Sequence, residues 1–396
     1  MLIEIHLLQN HAPSNLNRDE SGSPKECVFG GVKRARISSQ CLKRSIRCSD
    51  IFKTEMAGHL AQRTRRLPEM VREKLKMAGI PDELAAVAAK KASGFGTEAG
   101  TETEPDKKTG QFDTRQTMFL TEHDVQAVTD VMLNACREER DPAKLAKIAA
   151  KDLQSKATQA GFRPMTVDIA LFGRMITSGA FRDVEAAAQV AHALSTHKVD
   201  TEFDYFTAVD DLQGQSETEE DAGADMIGDV EYNSACYYKY FSLDLQGITD
   251  NLTGKSFLRR TPTEEETQTA QELAARTVES FLRAAIFTSP SGKQNSFAAH
   301  QLPAVVLVEV RPYQTPISYA NAFVSPGRPG GGRDLVRASM DNLKEHAEAL
   351  TTGFGLYSSP RLLLAPLHSD FQIDNVERIA DLNSLCHRLR ETLNHG

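Results

Sequence analysis

The stretch from Gly30 to Arg47, GGVKRARISSQCLKRSIR, is the segment from which the rest of the chain can be interpreted. It contains no acidic residue, although the whole chain has a formal net charge of −8. Its basic residues are Lys33, Arg34, Arg36, Lys43, Arg44 and Arg47. A cationic segment on an acidic chain predicts one local contact with a polyanion and argues against indiscriminate nucleic-acid binding.

Helical periodicity predicts a helix that begins after Ser38 or Ser39, because serine is a favoured N-cap residue. At about 100° per residue, Leu42 and Ile46 lie on the face opposite the polar residues. The polar face comprises Gln40, Lys43, Arg44 and Arg47. We therefore expect a helix with one side in the core and a cationic side in solvent.

Two further features of this segment indicate a phosphate partner. Gly30 and Gly31 permit a close backbone approach, and a helix N-terminus offers free N–H groups and a positive dipole end. Together with the cationic face they predict a surface for a polyanion backbone. The alternative is an ordinary solvated basic face.

Composition limits the other possibilities. With 396 residues, 40% of them hydrophobic, the chain can bury one large core or two ordinary ones. No apolar run is long enough for a membrane span, and MLIEIHLL lacks the basic start of a signal peptide. The six cysteines show no metal-ligand spacing. We expect a cytoplasmic protein without a metal, a cofactor or a membrane partner.

The N-terminal segment Leu2–Gln9 alternates in hydrophobicity and predicts a strand. His6 and His11 are the early histidines and the candidate bases if the chain is an enzyme. The following loop, residues 12–25, contains Arg18 and Lys25, which could reach phosphates or remain solvated.

Helical patterning dominates residues 52–162, which predicts a self-contained helical insertion. The sheet is then expected to resume with TVDIALFGRM, a strand ending at Gly173, Arg174 and Met175. Residues 184–194, rich in small side chains, are predicted to form a helix.

Residues 199–233 predict a long β-hairpin with a polar tip. From Thr201 to Asp225 there are nine acidic residues and no basic one, so this arm cannot neutralise phosphates. It would act by shape, with Tyr205 and Phe206 on one limb and Met226 and Ile227 on the other. The alternative is that the two aromatic residues pack within the hairpin's own small core.

In the C-terminal part, Thr263 and Glu266 have the spacing of a capping box at the start of a helix. A polar loop follows at residues 289–300, with Lys293, Gln294 and Asn295. The glycine-rich SPGRPGGGRD lacks the spacing of a nucleotide-binding loop.

Several of these stretches carry a family resemblance. HAPSNLNRDE, FGGVKRARISSQCLKRSIR, VDIALFGRMITSG, VAHALSTHKVDTEFDYFTAVDDL and GKQNSFAAH resemble, in order, the CasC family of type I-E CRISPR Cascade backbone subunits. The resemblance implies an α+β fold, with a modified RRM or ferredoxin-like palm, a helical fingers insertion and a β-hairpin thumb. The palm would comprise residues 1–51, 163–198 and 234–396, the fingers 52–162 and the thumb 199–233.

The same resemblance implies a non-catalytic guide-RNA-binding subunit of an antiviral ribonucleoprotein. Copies would assemble head to tail along the RNA with other Cascade subunits, and the guide bases would pair with target DNA. The implied RNA contacts are Arg18, Lys25, Ser38, Gln40, Lys43, Arg44, Arg47, Arg174 and Met175, the methionine lying against a base. Tyr205, Phe206, Met226 and Ile227 would wedge at a kink in the RNA, and the loop of Lys293, Gln294 and Asn295 would lie near the groove.

Two alternatives use the same residues differently. One is an RRM-like endoribonuclease with His11 or His6 as the base, although no carboxylate pair or metal cluster accompanies them in the sequence. The other is a scaffold whose acidic hairpin binds a basic protein, with the basic helix as incidental surface.

Overall fold

The computed structural model describes residues 1–159, 164–208, 226–258, 260–356 and 358–395. The strands are β1 (Leu2–Ser14), β2 (Glu26–Phe29), β3 (Val32–Ile37), β4 (Gln62–Thr64), β5 (Met118–Leu120), β6 (Ala188–Val190), β7 (Ala193–Ser195), β8 (Glu202–Ala208), β9 (Met226–Asp244), β10 (Val305–Arg311), β11 (Arg361–Leu364) and β12 (Glu377–Arg378).

The α-helices are α1 (Ser39–Cys48), α2 (Asp50–Glu55), α3 (Leu67–Met77), α4 (Asp82–Ser93), α5 (Glu122–Glu138), α6 (Pro142–Leu145), α7 (Ala150–Gln159), α8 (Val167–Phe172), α9 (Leu245–Thr253), α10 (Lys255–Leu258), α11 (Glu264–Phe287), α12 (Gln294–Phe297), α13 (Leu335–Phe354) and α14 (Leu382–His395). Short 3₁₀ turns occupy Gly94–Gly96 and Ala320–Phe323. The predicted α+β class is confirmed. None of the described helices combines the length and the apolar character needed to cross a membrane.

A mostly antiparallel sheet organises the first of two compact units, which comprises Met1–Lys53, Gln189–Leu243 and Val278–Gly396. Its strand order is β12-β11-β10-β1-β9-β7-β3-β2, and β6 and β8 pair with β9 as well. Strand β1 is central and buried along almost its whole length because both of its faces are covered. The predicted N-terminal strand is therefore confirmed.

Apolar side chains cover both faces of this sheet. On one face, Leu8, Val305 and Leu307 of the strands join a cluster with Met340 and Leu343 of α13. On the other, Phe241 of β9 meets Phe281 of α11 edge to face, with ring centroids 5.4 Å apart. Helices on both faces explain why neighbouring residues of one strand can all be apolar.

A buried ionic network lies within the same sheet. Glu4 and Glu309 face each other across β1 and β10, and Glu309 is bound by Arg311 at 2.7 Å and by Arg361 at 2.6 Å. Burial alone would raise the pKa of Glu309, but His6 and the two arginines hold it at about 2. The Glu309 carboxylate is therefore charged, and removing one of its arginines would leave buried charge less compensated.

The second unit comprises Thr54–Ala188 and Asp244–Thr277, and it is mainly helical. Its core gathers apolar residues of α3, α4, α5 and α7, among them Leu67, Val71, Met132 and Leu153. This unit extends beyond the predicted insertion at 52–162, since it includes residues up to Ala188 and a later segment. The predicted capping box is present: Thr263 N donates to Glu266 at 2.9 Å, and Glu266 N donates to Thr263 Oγ1 at 3.2 Å.

Two secondary-structure predictions are wrong. Val167–Phe172 forms helix α8 and not a strand, and its first five residues are all buried. A helix buried on every side has no polar face, so its apolar run resembles a core strand. Residues 184–194 form no helix: they contain β6 and part of β7, and β7 pairs with both β3 and β9.

Of the double glycine that the sequence analysis linked to a phosphate surface, Gly30 serves the fold. Gly30 and Gly31 have φ of +61° and +75° and form the turn between β2 and β3. A Cβ on Gly30 would stand 1.9 Å from the carbonyl oxygen of Val324, whereas one on Gly31 would meet nothing within 4 Å. The close approach that the glycine permits is therefore to another part of the same chain.

The two glycines allow a matched test. Gly30→Ala and Gly31→Ala share the cost of a left-handed backbone, about 1–2 kcal/mol, but only Gly30→Ala adds the clash with Val324. We expect Gly30→Ala to lower the free energy of unfolding in urea by at least about 2 kcal/mol more than Gly31→Ala. Equal losses in the two variants would contradict this packing.

Candidate nucleic-acid interface

Helix α1 has the predicted two-sided character. Leu42 and Ile46 are buried, while Gln40 and Arg44 are exposed and Lys43 is half-buried. Arg47 is also half-buried. The helix therefore presents a cationic side, as its periodicity predicts, and desolvation lowers the pKa of Lys43 from its usual value.

Ser38 is positioned to start this helix. Its side chain is buried, and its hydroxyl accepts a hydrogen bond from Cys41 N at 3.4 Å. Its own N–H donates to Asn17 Oδ1 at 2.8 Å. Ser38 thus acts as the N-cap of α1, as the sequence predicts.

Arg18 and Arg44 share a depression of about 530 Å³. Its wall also includes Ser45 of α1 and the backbone of Ser291 and Gly292. A Cβ on Gly292 would stand 2.5 Å from the carbonyl oxygens of Asn15 and Leu16. The loop before α12 is therefore packed directly against the loop that carries Arg18, so two segments far apart in sequence form one depression. Two carboxylates, those of Asp19 and Glu20, line it together with the two arginines.

The predicted loop of Lys293, Gln294 and Asn295 adjoins that depression. Gln294 stabilises the loop itself, because it donates to Pro290 O at 3.0 Å and accepts from Ala299 N at 2.7 Å. Asn295 is exposed and Lys293 is half-buried. Lys293 and Asn295 therefore remain candidates for contact, whereas Gln294 has a positioning role.

Lys25 lies in a different, more mixed environment. It lines a second depression together with Lys33 and Arg36. Four carboxylates line it too, those of Asp19, Glu26, Asp200 and Glu231. Lys33 is bound to Glu26 at 2.8 Å, so one of the three cations in this depression is already paired.

A buried lysine contributes charge near α1. Lys239 of β9 is 1% exposed, and its ammonium donates to Gln9 Oε1 at 2.5 Å. Burial lowers the pKa of Lys239 to about 8, and interaction with Cys41 of α1 opposes this shift. The side chain is therefore still mainly protonated at neutral pH. No feature of the sequence distinguishes it from a surface lysine.

Arg174 is the clearest error among the predicted RNA ligands. Its guanidinium is buried, binds Asp124 at 2.7 Å and donates to the carbonyl oxygens of Phe119 and Arg182. A charge so paired cannot also bind a phosphate. Its neighbour Met175 is 93% exposed, so Arg174 anchors the segment from which the methionine projects.

The hairpin is present, and its two limbs are β8 and the start of β9. Its tip, residues 209–225, lies outside the described residues, as does the side chain of Met226. Tyr205 and Ile227 are 73% and 72% exposed, which excludes the alternative that Tyr205 is sandwiched in a hairpin core.

The register separates the two predicted aromatic residues. Phe206 pairs with Gly228, and its ring would be 2.5 Å from a Cβ at that glycine, so it packs across the hairpin. Tyr205 is on the opposite face, because adjacent residues of a strand alternate. That face also carries Phe203 and Ile227, both exposed. The prediction missed Phe203, although its spacing of two from Tyr205 could have identified it.

Both candidate catalytic histidines are on β1, inside the sheet of the first unit. His6 is 0% exposed, and its Nδ1 lies 2.8 Å from the Tyr238 hydroxyl. His11 is also fully buried, and desolvation and nearby Lys239 lower its pKa to about 3. Neither ring can reach a strand bound on the surface, which argues against the endoribonuclease alternative.

Among the described residues, one group has spacing that would suit a metal ion: Glu4, His6 and Glu309, all buried. Arginine side chains already hold both carboxylates, since Arg311 binds Glu4 and Glu309 and Arg361 binds Glu309. The charge balance of this cluster is thus met by the protein itself.

Comparison with known proteins gives a consistent result. The family model for CT1975-like proteins matches residues 3–388. No curated protein sequence matches. A solved chain from a "CRISPR RNA-guided surveillance complex, pre-nicking" is similar with 28% identity and a TM-score of 0.79, covering 99% of this chain and 100% of that one.

A second solved chain, from a "CRISPR RNA-guided surveillance complex", has 22% identity and a TM-score of 0.69 and covers all of both chains. At that identity it supports the fold alone. The family resemblance predicted from the sequence motifs is confirmed at the level of a Cascade subunit.

The buried lysine gives a prediction about pH. Because folding lowers the pKa of Lys239 from 10.5 to about 8, the unfolded chain binds more protons between these values, and stability should rise with pH there. Lys239→Met should lack this contribution. Urea unfolding at several pH values should show that the free energy of unfolding of wild type rises relative to that of Lys239→Met between pH 8 and 10.5. For the exposed control Lys53→Met, the plot of unfolding free energy against pH should run parallel to that of wild type. A parallel plot for Lys239→Met would contradict the lowered pKa of Lys239.

Proposed function

The chain belongs to the CT1975-like protein family, and from this premise we propose that it is a non-catalytic guide-RNA-binding backbone subunit of a type I-E CRISPR surveillance complex. Copies assemble head to tail along the guide and present its bases for pairing with target DNA. The observation that carries this proposal is the cationic side of α1, with Arg44 and Arg18 exposed at the depression beside it.

The guide backbone binds along α1. Arg18 and Arg44 contact phosphates as charge-assisted donors. Gln40 and Lys43 extend the contact along the helix. The buried Lys239 adds positive potential near α1. Such contacts hold the backbone without selecting a sequence. This suits a subunit that must carry guides of any sequence. Met175 packs against a guide base through its exposed thioether.

The hairpin contacts RNA held by the next copy. Its exposed apolar face, Phe203, Tyr205 and Ile227, lies on an acidic arm, so it acts by wedging and not by neutralising phosphates. The hairpin of one copy meets a different surface on the next copy, so the contact is heterologous. Heterologous contacts generate filaments when the assembly does not close into a ring. Phe206 packed on Gly228 stiffens the arm.

We propose no catalytic step. Cleavage of RNA requires a base within reach of a ribose hydroxyl, and His6 and His11 are both buried beneath the sheet surface. Other members of a surveillance complex would then supply any nuclease activity.

Charge reversal at the depression tests guide binding. Arg18→Glu with Arg44→Glu should reduce co-purified guide RNA at least tenfold, because two phosphate contacts become repulsive. The measurement is the absorbance ratio at 260 and 280 nm together with a denaturing gel of the bound RNA.

The matched control is Lys344→Glu with Arg388→Glu, which makes the same charge change at cations paired with Glu348 and Glu377. It should retain the guide. Normal guide yield from a folded Arg18/Arg44 variant would refute this site.

The hairpin is tested by Tyr205→Ser with Ile227→Ser. Both side chains are exposed, so the thermal midpoint should stay close to wild type. Guide binding should persist, but electron microscopy of the assembled complex should show loss of regular subunit spacing.

Tyr313→Ser with Leu302→Ser is the control, since these residues of the same unit are 76% and 57% exposed. Regular assemblies formed by the hairpin variant would reject its role in spacing.

A further inference from the structure

The long hairpin projects from the first unit, and its direction depends on contacts at its root. The root is the cross-strand pair Glu202 and Tyr232, in which the Tyr232 hydroxyl donates to Glu202 Oε2 at 3.0 Å. Beyond this pair, β8 is exposed along its whole length, Glu202–Ala208. In the sheet pairing of the described residues, β8 pairs with β9 alone. The angle of the arm is therefore set at the root.

One side-chain amide joins the root to the depression beside α1. Asn15 is fully buried, and its Nδ2 donates to the carbonyl oxygens of Glu231 and Gly22, both at 2.9 Å. Glu231 adjoins the root on β9, and Gly22 lines the depression together with Arg18 and Arg44. The hairpin limb and the loop that carries Arg18 are thus bound to the same side chain.

The other wall of the depression makes a second contact with the root. Phe297 ends α12, in the loop whose Ser291 and Gly292 line the depression. Its ring centroid lies 5.5 Å from that of Tyr232. Gly292 approaches the backbone of Asn15 so closely that a Cβ there would stand 2.5 Å from the Asn15 carbonyl oxygen. Both loops of the depression therefore contact each other and the hairpin root.

The first limb of the hairpin has a weaker contact of its own. Thr201, directly before β8, donates through Oγ1 to Glu26 Oε1 at 2.7 Å. Both of these side chains are half-buried. Water weakens a hydrogen bond at such a site, whereas the buried amide of Asn15 is shielded from it. The contacts with the depression therefore fix the arm more firmly than this one.

Small rotations at the root are amplified at the exposed apolar face. Ile227 lies roughly 13 Å along the limb from Glu231, at about 3.3 Å per residue. A rotation of about 10° at the root would move Ile227 by roughly 2 Å over this length. Contacts that depend on shape need side chains placed within about 0.5 Å. The apolar face can therefore meet a defined position only if the root is held at one angle.

We propose that Asn15 and Phe297 are positioning residues that hold the hairpin at one angle to the guide-binding depression. This inference rests on the proposed function. Each copy holds guide RNA at its own depression and contacts the RNA of the next copy with its hairpin. The angle between these two sites then sets the length of guide that each copy occupies. A copy with a loose root still binds the guide, but its apolar face meets the RNA at variable positions.

The test uses the full surveillance complex assembled with guide RNA. Asn15→Ala removes both hydrogen bonds of the amide and leaves Arg18, Arg44 and the exposed face of the hairpin in place. We expect unchanged guide content. Hydroxyl-radical footprints of the guide, regularly spaced in wild type, should lose their regularity, and electron microscopy should show uneven spacing of the copies.

The matched control is Asn251→Ala in the second unit. Asn251 is 3% exposed, and its Nδ2 also donates to two carbonyl oxygens, those of Ala170 at 3.0 Å and Glu185 at 2.9 Å. This variant should lose a similar amount of thermal stability and keep the regular footprint. A regular footprint in Asn15→Ala would overturn the proposal. Equal irregularity in the control would also overturn it, because loss of stability alone would then explain the effect.

Phe297→Ala keeps the proposal testable if Asn15→Ala does not fold. Phe297 is half-buried, and the change removes the ring contact with Tyr232 without leaving a buried polar group unpaired. The same loss of regularity is expected, and a regular footprint would overturn the proposal. The Tyr205/Ile227 variant tests the role of the hairpin separately. Irregular spacing in that variant, with regular spacing in Asn15→Ala and Phe297→Ala, would reject the positioning role and leave the proposed function intact.

Discussion

One buried arginine fixes the segment from which the basic helix begins. Arg34 of β3 is fully buried, and its guanidinium donates to the carbonyl oxygens of Phe29, Ser195, Phe323 and Val324. A buried charge is tolerated only when its donors are satisfied. The four carbonyls belong to the β2–β3 turn, β7 and the turn after Ala320, so a single side chain joins three distant parts of the chain. Because α1 follows β3 after one residue, its start is set by this network.

The same residue shows why counting charges overstates a binding site. Of the six basic residues between Gly30 and Arg47, Arg34 is structural, Lys33 is bound to Glu26, and Arg36 lies 2.9 Å from His192 Nδ1. The residues on α1 remain as the cationic surface. Burial and pairing depend on tertiary contacts, since Ser195 and Phe323 are more than 150 residues away from Arg34 in sequence. Local sequence carries no information about such partners.

Features encoded locally were predictable. Helix α1 follows from its N-cap and its apolar spacing, and the start of α11 follows from Thr263 and Glu266, since both depend on residues within one turn. Helix α8 was misread because burial on every side removed the polar face that reveals helical period. The prediction for residues 184–194 is wrong although alanine favours a helix, because pairing of β7 with β3 and β9 overrides that local preference. The RNA contact predicted for Arg174 is wrong because its partner Asp124 lies 50 residues away in sequence and gives no local signal.

The hairpin extends this reasoning from charge to shape. Adjacent aromatic residues in a strand cannot share a face, so Tyr205 and Phe206 must have different tasks once β8 is known to be a strand. Phe206 lies on Gly228, where the missing side chain leaves room for its ring. Tyr205 instead remains in solvent with Phe203 and Ile227, an apolar face that nothing in its own hairpin covers. Exposed apolar surface on an acidic arm costs solubility without adding stability. The contact proposed for the hairpin, with RNA held by a neighbouring copy, would cover this face.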